Sequence, residues 1–198
     1  MTTATLNTQT VTATIPQPPA TAGLSHYDLD ATHSHVSFSV RHMMIANVRG
    51  EFQKVSGQVS YDPDRPEATA ISASIDVASI NTRDGKRDAH LRSPDFFDAD
   101  RYPTIEFVSR RAARRGDGLE VVGDLTIAGT TREVTLAVEE ITPELADPFG
   151  NVKRGATART KIRRSDFGMR WNAALEAGGV LVGDEISIQL EVELAKRK

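Results

Sequence analysis

Histidines, arginines and a few hydroxyls are the residues of this 198-residue chain that could do chemistry. His33 and His35 form an H-x-H pair on one strand face, and a metal site there would need a third ligand from His90 or a carboxylate. No recognised ligand spacing supplies one, so no metal is expected. The chain has no cysteine, which excludes disulfides and thiolate sites. Asp88 and His90 could orient a base, but the nearest hydroxyls, Thr82 and Ser93, stand in no nucleophile motif such as G-x-S-x-G. Arg83, Arg87, Asp88 and His90 read instead as a charge network pinning a helix to its surroundings, and no catalytic residue is expected. His42 differs. Counting by two along Ser34, Val36, Phe38 and Val40 places its imidazole at the end of an apolar strand face. There it either donates to an oxygen of a bound molecule or is hydrogen-bonded in the core.

What positions these side chains is a pattern of strands. Period-two alternation runs through residues 36–40, 71–77, 134–138 and 186–194, with further strands at 104–109 and 119–127. Residues 48–61 read as one long strand whose apolar parity shifts between Phe52 and Val55, which requires a bulge or bend. Turn signals separate the runs at Asp62-Pro63, Gly116-Asp117-Gly118, Ala128-Gly129, Asp147-Pro148 and Gly178-Gly179. Roughly eight antiparallel strands with short connections imply a barrel or sandwich. One helix is expected near residues 82–93, capped by Asn81 or Thr82 and stopped by Pro94. Phe96, Phe97, Tyr102 and Phe107 follow it, as a lid over an opening or a small core beneath the helix. Of the two basic segments, Arg110–Arg115 and Lys153–Arg170, the first reads as a solvated hairpin tip; either one, if it lies beside the mouth, would attract a pyrophosphate or an anionic membrane surface.

Bulk properties set limits. A hydrophobic content of 39% with 26% charged residues suits one globular domain, and a net charge of −3 argues against a nucleic-acid binder. Residues 1–25, rich in Thr, Ala and Pro, are expected to form a disordered tail, with residues 26–198 as the domain. The N-terminal stretch shows neither a basic n-region nor an apolar h-region, so a cytoplasmic location is expected.

The ordered set of motifs resembles the YceI-like family. It runs through Asp30-x-x-His33-Ser34-x-Val36-x-Phe38-x-Val40-x-His42-Met43 and Val48-x-Gly50-x-Phe52. Arg87-Asp88-x-His90-Leu91, Ser93-x-Asp95-Phe96-Phe97-Asp98 and Tyr102-Pro103-x-Ile105-x-Phe107 follow. Gly123-x-Leu125-Thr126-Ile127, Arg164-Ser165-Asp166-Phe167-Gly168 and Val182-Gly183-Asp184 complete it. The resemblance implies a mainly β, lipocalin-like, eight-stranded antiparallel barrel holding a long isoprenoid-type lipid, polyprenyl or quinone-like, in an apolar lumen. It implies binding, storage or transport without catalysis, and no cofactor beyond the lipid itself. A homodimer is the other partner it suggests, while peripheral membrane contact is an expectation from the basic segments.

Strand parity nominates Phe38, Val40 and His42 for the lumen, with Ile71 and Ile75 from the next alternating run. Leu125, Ile127 and Leu136 join them, as do Ile188 and Leu190 near the C-terminus. Trp171 is nominated to line the lumen or plug one end. Two other functions compete with a carrier: an enzyme using His42 as acid or base on a lipophilic substrate, and a stress-related interaction scaffold.

Overall fold

The computed structural model describes residues 23–174 and 179–198. The Thr- and Pro-rich segment read as a tail lies outside these residues up to position 22. Among the described residues, the alternating sequence becomes twelve strands. They are β1 (Ser25–Leu29), β2 (His35–His42), β3 (Ala46–Phe52), β4 (Val55–Tyr61), β5 (Ala70–Asp76) and β6 (Ile80–Asn81). After the helix α1 (Gly85–Arg92) come β7 (Thr104–Arg115), β8 (Gly118–Ile127), β9 (Thr130–Ile141), β10 (Leu145–Ala146), β11 (Val152–Arg163) and β12 (Val182–Lys196).

The strands close into a barrel because several are halves of longer, bent ones. β2 pairs with β3, Val36 opposite Phe52, while β1 pairs with β4, Tyr27 opposite Val59. The interruption at residues 53–54 falls where the sequence shifts its apolar parity. From β4 the ring passes through β5, β7, β8, β9 and β11 to β12. The 15-residue β12 then returns to both β1 and β2, Leu194 opposite Leu29 and Leu190 opposite Val36. Counted this way, the barrel is closed, eight-stranded and antiparallel.

Two glycines allow rings to lie flat on the wall. A Cβ at Gly50 would stand 2.5 Å from the Phe38 ring, and one at Gly123 would stand 2.6 Å from the Phe107 ring. Inward residues such as Val121, Val77 and Tyr27 are at most 1% exposed.

The helix begins later than its sequence suggests. Asp84, rather than Asn81 or Thr82, is the cap, accepting from the Lys86 and Arg87 amides. Thr82 is committed elsewhere: its amide and hydroxyl both donate to Asp88, at 2.9 and 2.5 Å. Arg87 donates to the Thr82 hydroxyl and carbonyl, so Arg87 and Asp88 of the expected network meet at that threonine, whereas His90 bonds Asp95. The basic run Arg110–Arg115 belongs to β7 rather than to a hairpin tip; the turn itself is Gly116-Asp117. Arg110 and Arg115 pair with Asp124 and Glu120 across the hairpin. The second basic segment forms β11 and the 3₁₀ turn Arg164–Phe167. Among the described residues, no helix is long and apolar enough to cross a membrane.

Candidate functional site

Because side chains alternate along every strand, the closed ring sends one face of each into a common lumen. The walls enclose a cavity of about 260 Å³ lined almost wholly by hydrocarbon. A single water needs roughly 10–15 Å³ on this measure, so the space suits a chain rather than a buried solvent molecule.

Of the residues nominated from sequence, Phe38, Val40, Ile71, Ile75, Leu125, Ile127, Leu136, Ile188 and Leu190 line this cavity. His42 and Trp171 do not. His42 is the last residue of β2, half-buried where the strand gives way to a hairpin, so the parity that places it on the apolar face carries it past the lumen. Trp171 follows the 3₁₀ turn and stacks edge-on against His90 at 4.7 Å. Its ring lies 5.3 Å from that of Phe96, which does line the cavity. The indole is therefore one layer outside the wall, at the end of the barrel that carries α1. Phe97 and Phe107 also reach the lumen, whereas Tyr102 lies against Gly129. Met43, Met44 and Ile45 form the β2–β3 hairpin tip, 40%, 60% and 76% exposed.

Two lumen arginines escape a reading by hydrophobic pattern. Inward parity along β11 runs Arg154, Ala156, Ala158, Thr160 and Ile162, and continues to Arg164 just beyond the strand; all six line the cavity. Arg164, 6% exposed, stands at the α1 end and donates to the carbonyls of Gly183, Met169 and Trp171, each at 2.8–2.9 Å. Burial pulls its basicity down, against the opposing pull of Asp184. Arg154 stands at the other end. Its guanidinium lies 4.9 Å over the Tyr61 ring, 5.8 Å from that of Tyr27, and 4.0 Å from Glu144.

Elsewhere the polar groups are spoken for. Asp30, His33 and Glu193 gather three potential metal ligands, but the Lys153 ammonium donates to Asp30 at 3.0 Å and to Glu193 at 2.6 Å. A shallower outer groove of about 960 Å³ runs along β9 and β11, whose pairing stops at Ala137 and Arg159. Its walls carry Arg159 and Lys161, ion-paired to Glu139 and Glu185. It lacks the lumen's apolar lining. Among the described residues, no His, Asp or Glu lines the lumen; its wall offers hydrocarbon and a few donors.

Known proteins share this sequence and shape. A UPF0312 protein of Staphylococcus aureus is 33% identical over 172 residues, covering 87% of this chain and 98% of its own length. A UPF0312 protein of Vibrio cholerae is 34% identical over 155 residues, covering 77% of this chain and 82% of its own. Among solved structures, BcnA of Burkholderia cenocepacia superposes with a TM-score of 0.72 at 28% identity, over 83% of this chain and 98% of its own. A polyisoprenoid binding domain from Saccharophagus degradans shares the fold at a TM-score of 0.60 and 15% identity, over 88% of this chain and all of its own. With residues 27–194 matching the YceI-like domain along the whole barrel, the chain belongs to the YceI-like family.

Proposed function

We propose that this protein binds one long isoprenoid-type lipid, polyprenyl or quinone-like, in its lumen and stores or carries it without chemical change. The observation that carries this reading is the apolar cavity inside a closed barrel, on whose wall no acid–base pair stands among the described residues. Enclosed hydrocarbon contributes roughly 25 cal/mol for each Å² removed from water, so affinity grows with chain length. The polyisoprenoid-binding description of the Saccharophagus neighbour agrees with this ligand class. The position of His42 outside the lumen weighs against the enzyme reading.

The test is organic extraction of the purified protein followed by mass spectrometry, with native mass spectrometry of the intact complex. One long-chain lipid per barrel is expected, and the same native spectrum reads whether barrels pair. A folded protein that emerges lipid-free and takes up no polyprenol from vesicles would defeat the proposal.

Loading calls for contact with a membrane, and the β2–β3 tip suits that role. Met43, Met44 and Ile45 are exposed apolar residues, and both methionines are held at positive φ, 51° and 61°, a conformation that side chains seldom adopt. Val180, 40% exposed, lies on the segment that neighbours this hairpin, where the Met43 amide donates to the Leu181 carbonyl. Ile45→Glu is expected to slow lipid transfer from vesicles by about tenfold while leaving the melting temperature unchanged. Equal transfer rates would remove the tip from the loading step.

A further inference from the structure

We propose that the Arg154 end of the lumen is a head-group site for a carbonyl-type oxygen, a carboxylate or a neutral carbonyl, on the bound chain. The proposal rests on the lipid-carrier reading and gives its ligand a chemistry and a direction.

Two buried donors carry it. The Arg154 side chain is only 10% exposed, yet its Nε–H is buried without a hydrogen-bond partner. Thr69 Oγ1 is likewise buried and unpartnered. Both residues line the same cavity. Strand register puts them at the same end of the barrel. Thr69 immediately precedes β5, whose Ala70 stands opposite Ser60 of β4, and Ser25 of β1 stands opposite Tyr61. β1 in turn pairs with the end of β12, where Leu194 stands opposite Arg154.

The guanidinium is also held in place. It sits over the Tyr61 and Tyr27 rings, and the nearest carboxylate, Glu144, already accepts from the Tyr27 hydroxyl at 2.5 Å and from Lys196 at 3.0 Å. Glu144 therefore leaves Arg154 at the outer limit of an ion pair, with Nε unused. An unmet donor inside an apolar cavity is costly, and an acceptor carried in by a ligand would recover that cost. A guanidinium has donors only, so the matching group is an oxygen acceptor, and a charged oxygen makes the stronger bond.

The opposite end supplies the contrast. Arg164 spends its donors on the Gly183, Met169 and Trp171 carbonyls, which makes it a strut rather than a ligand contact. The chain therefore lies with its oxygen at Arg154 and its tail toward Phe96 and Phe97.

Three probes with eighteen-carbon chains decide the matter: oleic acid, its methyl ester and octadecene, titrated into delipidated protein. In the unaltered protein the acid, or both oxygen-bearing probes, should bind at least about tenfold more tightly than the alkene, as expected for one charge-assisted hydrogen bond. Preference for the acid alone identifies a carboxylate ligand; preference for both identifies a carbonyl. Arg154→Met should erase the preference while leaving alkene binding intact, and Thr69→Val should weaken it. Thr69→Val removes no hydrogen bond and its melting temperature should hold, whereas Arg154→Met gives up the ring contacts and the ion pair with Glu144, so alkene binding is the check that its barrel is intact. Equal binding of all three probes, or a preference that survives in both variants, would overturn the head-group site and leave the carrier reading standing. Failure of every probe to bind would overturn this site, and together with failure to take up polyprenol it would overturn the carrier reading as well.

Discussion

At the scale of single residues, the two lumen arginines do different work from the same strand parity. Arg164 holds carbonyls at the start of β12 and in the Met169–Trp171 segment. Arg164→Met would leave these acceptors unmet in a water-poor place, so a loss of about 3 kcal/mol is expected in urea unfolding. The single tryptophan reports locally: release of the Trp171 carbonyl should redden and quench its emission before global unfolding begins. A variant with wild-type midpoint and unchanged emission would show that Arg164 is dispensable. Residues of this kind are poorly legible in sequence. Phe38, Ile71 and Leu136 declare themselves by alternation, because an apolar residue every second position has one ready explanation. An arginine in the same register reads as surface, and only its partners distinguish a buried one. His42 shows the opposite error: parity assigns a face but not where along the strand the lumen stops.

Elements show where patterning suffices and where it does not. β2, β5 and the end of β12 are legible because large apolar residues alternate with serines and glutamates. β11 is not, since its inward side is Arg154, Ala156, Ala158, Thr160 and Ile162, small or polar at most positions. Those small side chains leave room in the lumen, so the feature that hides the strand also creates the cavity. Ala158, 7% exposed and opposite both Leu190 and Val138, tests this. A phenyl ring added there enters space rather than a filled core. Ala158→Phe should cost less than about 1 kcal/mol, below the usual penalty for overpacking, while reducing the lipid recovered per barrel. Severe destabilisation with undiminished lipid would mean that β11 faces a packed core. The helix was visible as an element because Pro94 and the charged run mark it, but its cap was not. The sequence offers Asn81 or Thr82 as the cap, but Thr82 is bonded to Asp88 and Asp84 takes the role.

For the whole molecule, closure depends on β12 meeting β1, β2 and β11 together, and a charge cluster fastens that junction. Asp30, in the bend between β1 and β2, meets His33 at 3.0 Å and Lys153 of β11, and Lys153 reaches on to Glu193 of β12. The hydrogen bonds from His33 and Lys153 hold the Asp30 carboxyl well below the usual carboxylate range. Those to Glu193 and Asp30 hold Lys153 above its ordinary value. At the same end, burial pushes Glu144 up, but the Tyr27 and Lys196 hydrogen bonds prevail and lower it. The sign follows from linkage. A carboxylate with a depressed folded value contributes stability that is whole above its unfolded value and is lost as the pH falls through the folded one. A raised lysine contributes below its unfolded value and loses that contribution only as the pH climbs through the higher folded one. The barrel should therefore hold a flat urea midpoint from roughly pH 5 to about pH 10, and lose stability below about pH 4. Asp30→Asn should lower the plateau and flatten the acid limb, because one of the carboxylates whose protonation drives that limb is gone. Midpoints measured across the range for both proteins check this. An acid limb equally steep in Asp30→Asn would move the pH sensitivity away from the β12 junction, and the closure of the ring would then rest on its backbone ladders and apolar lumen alone.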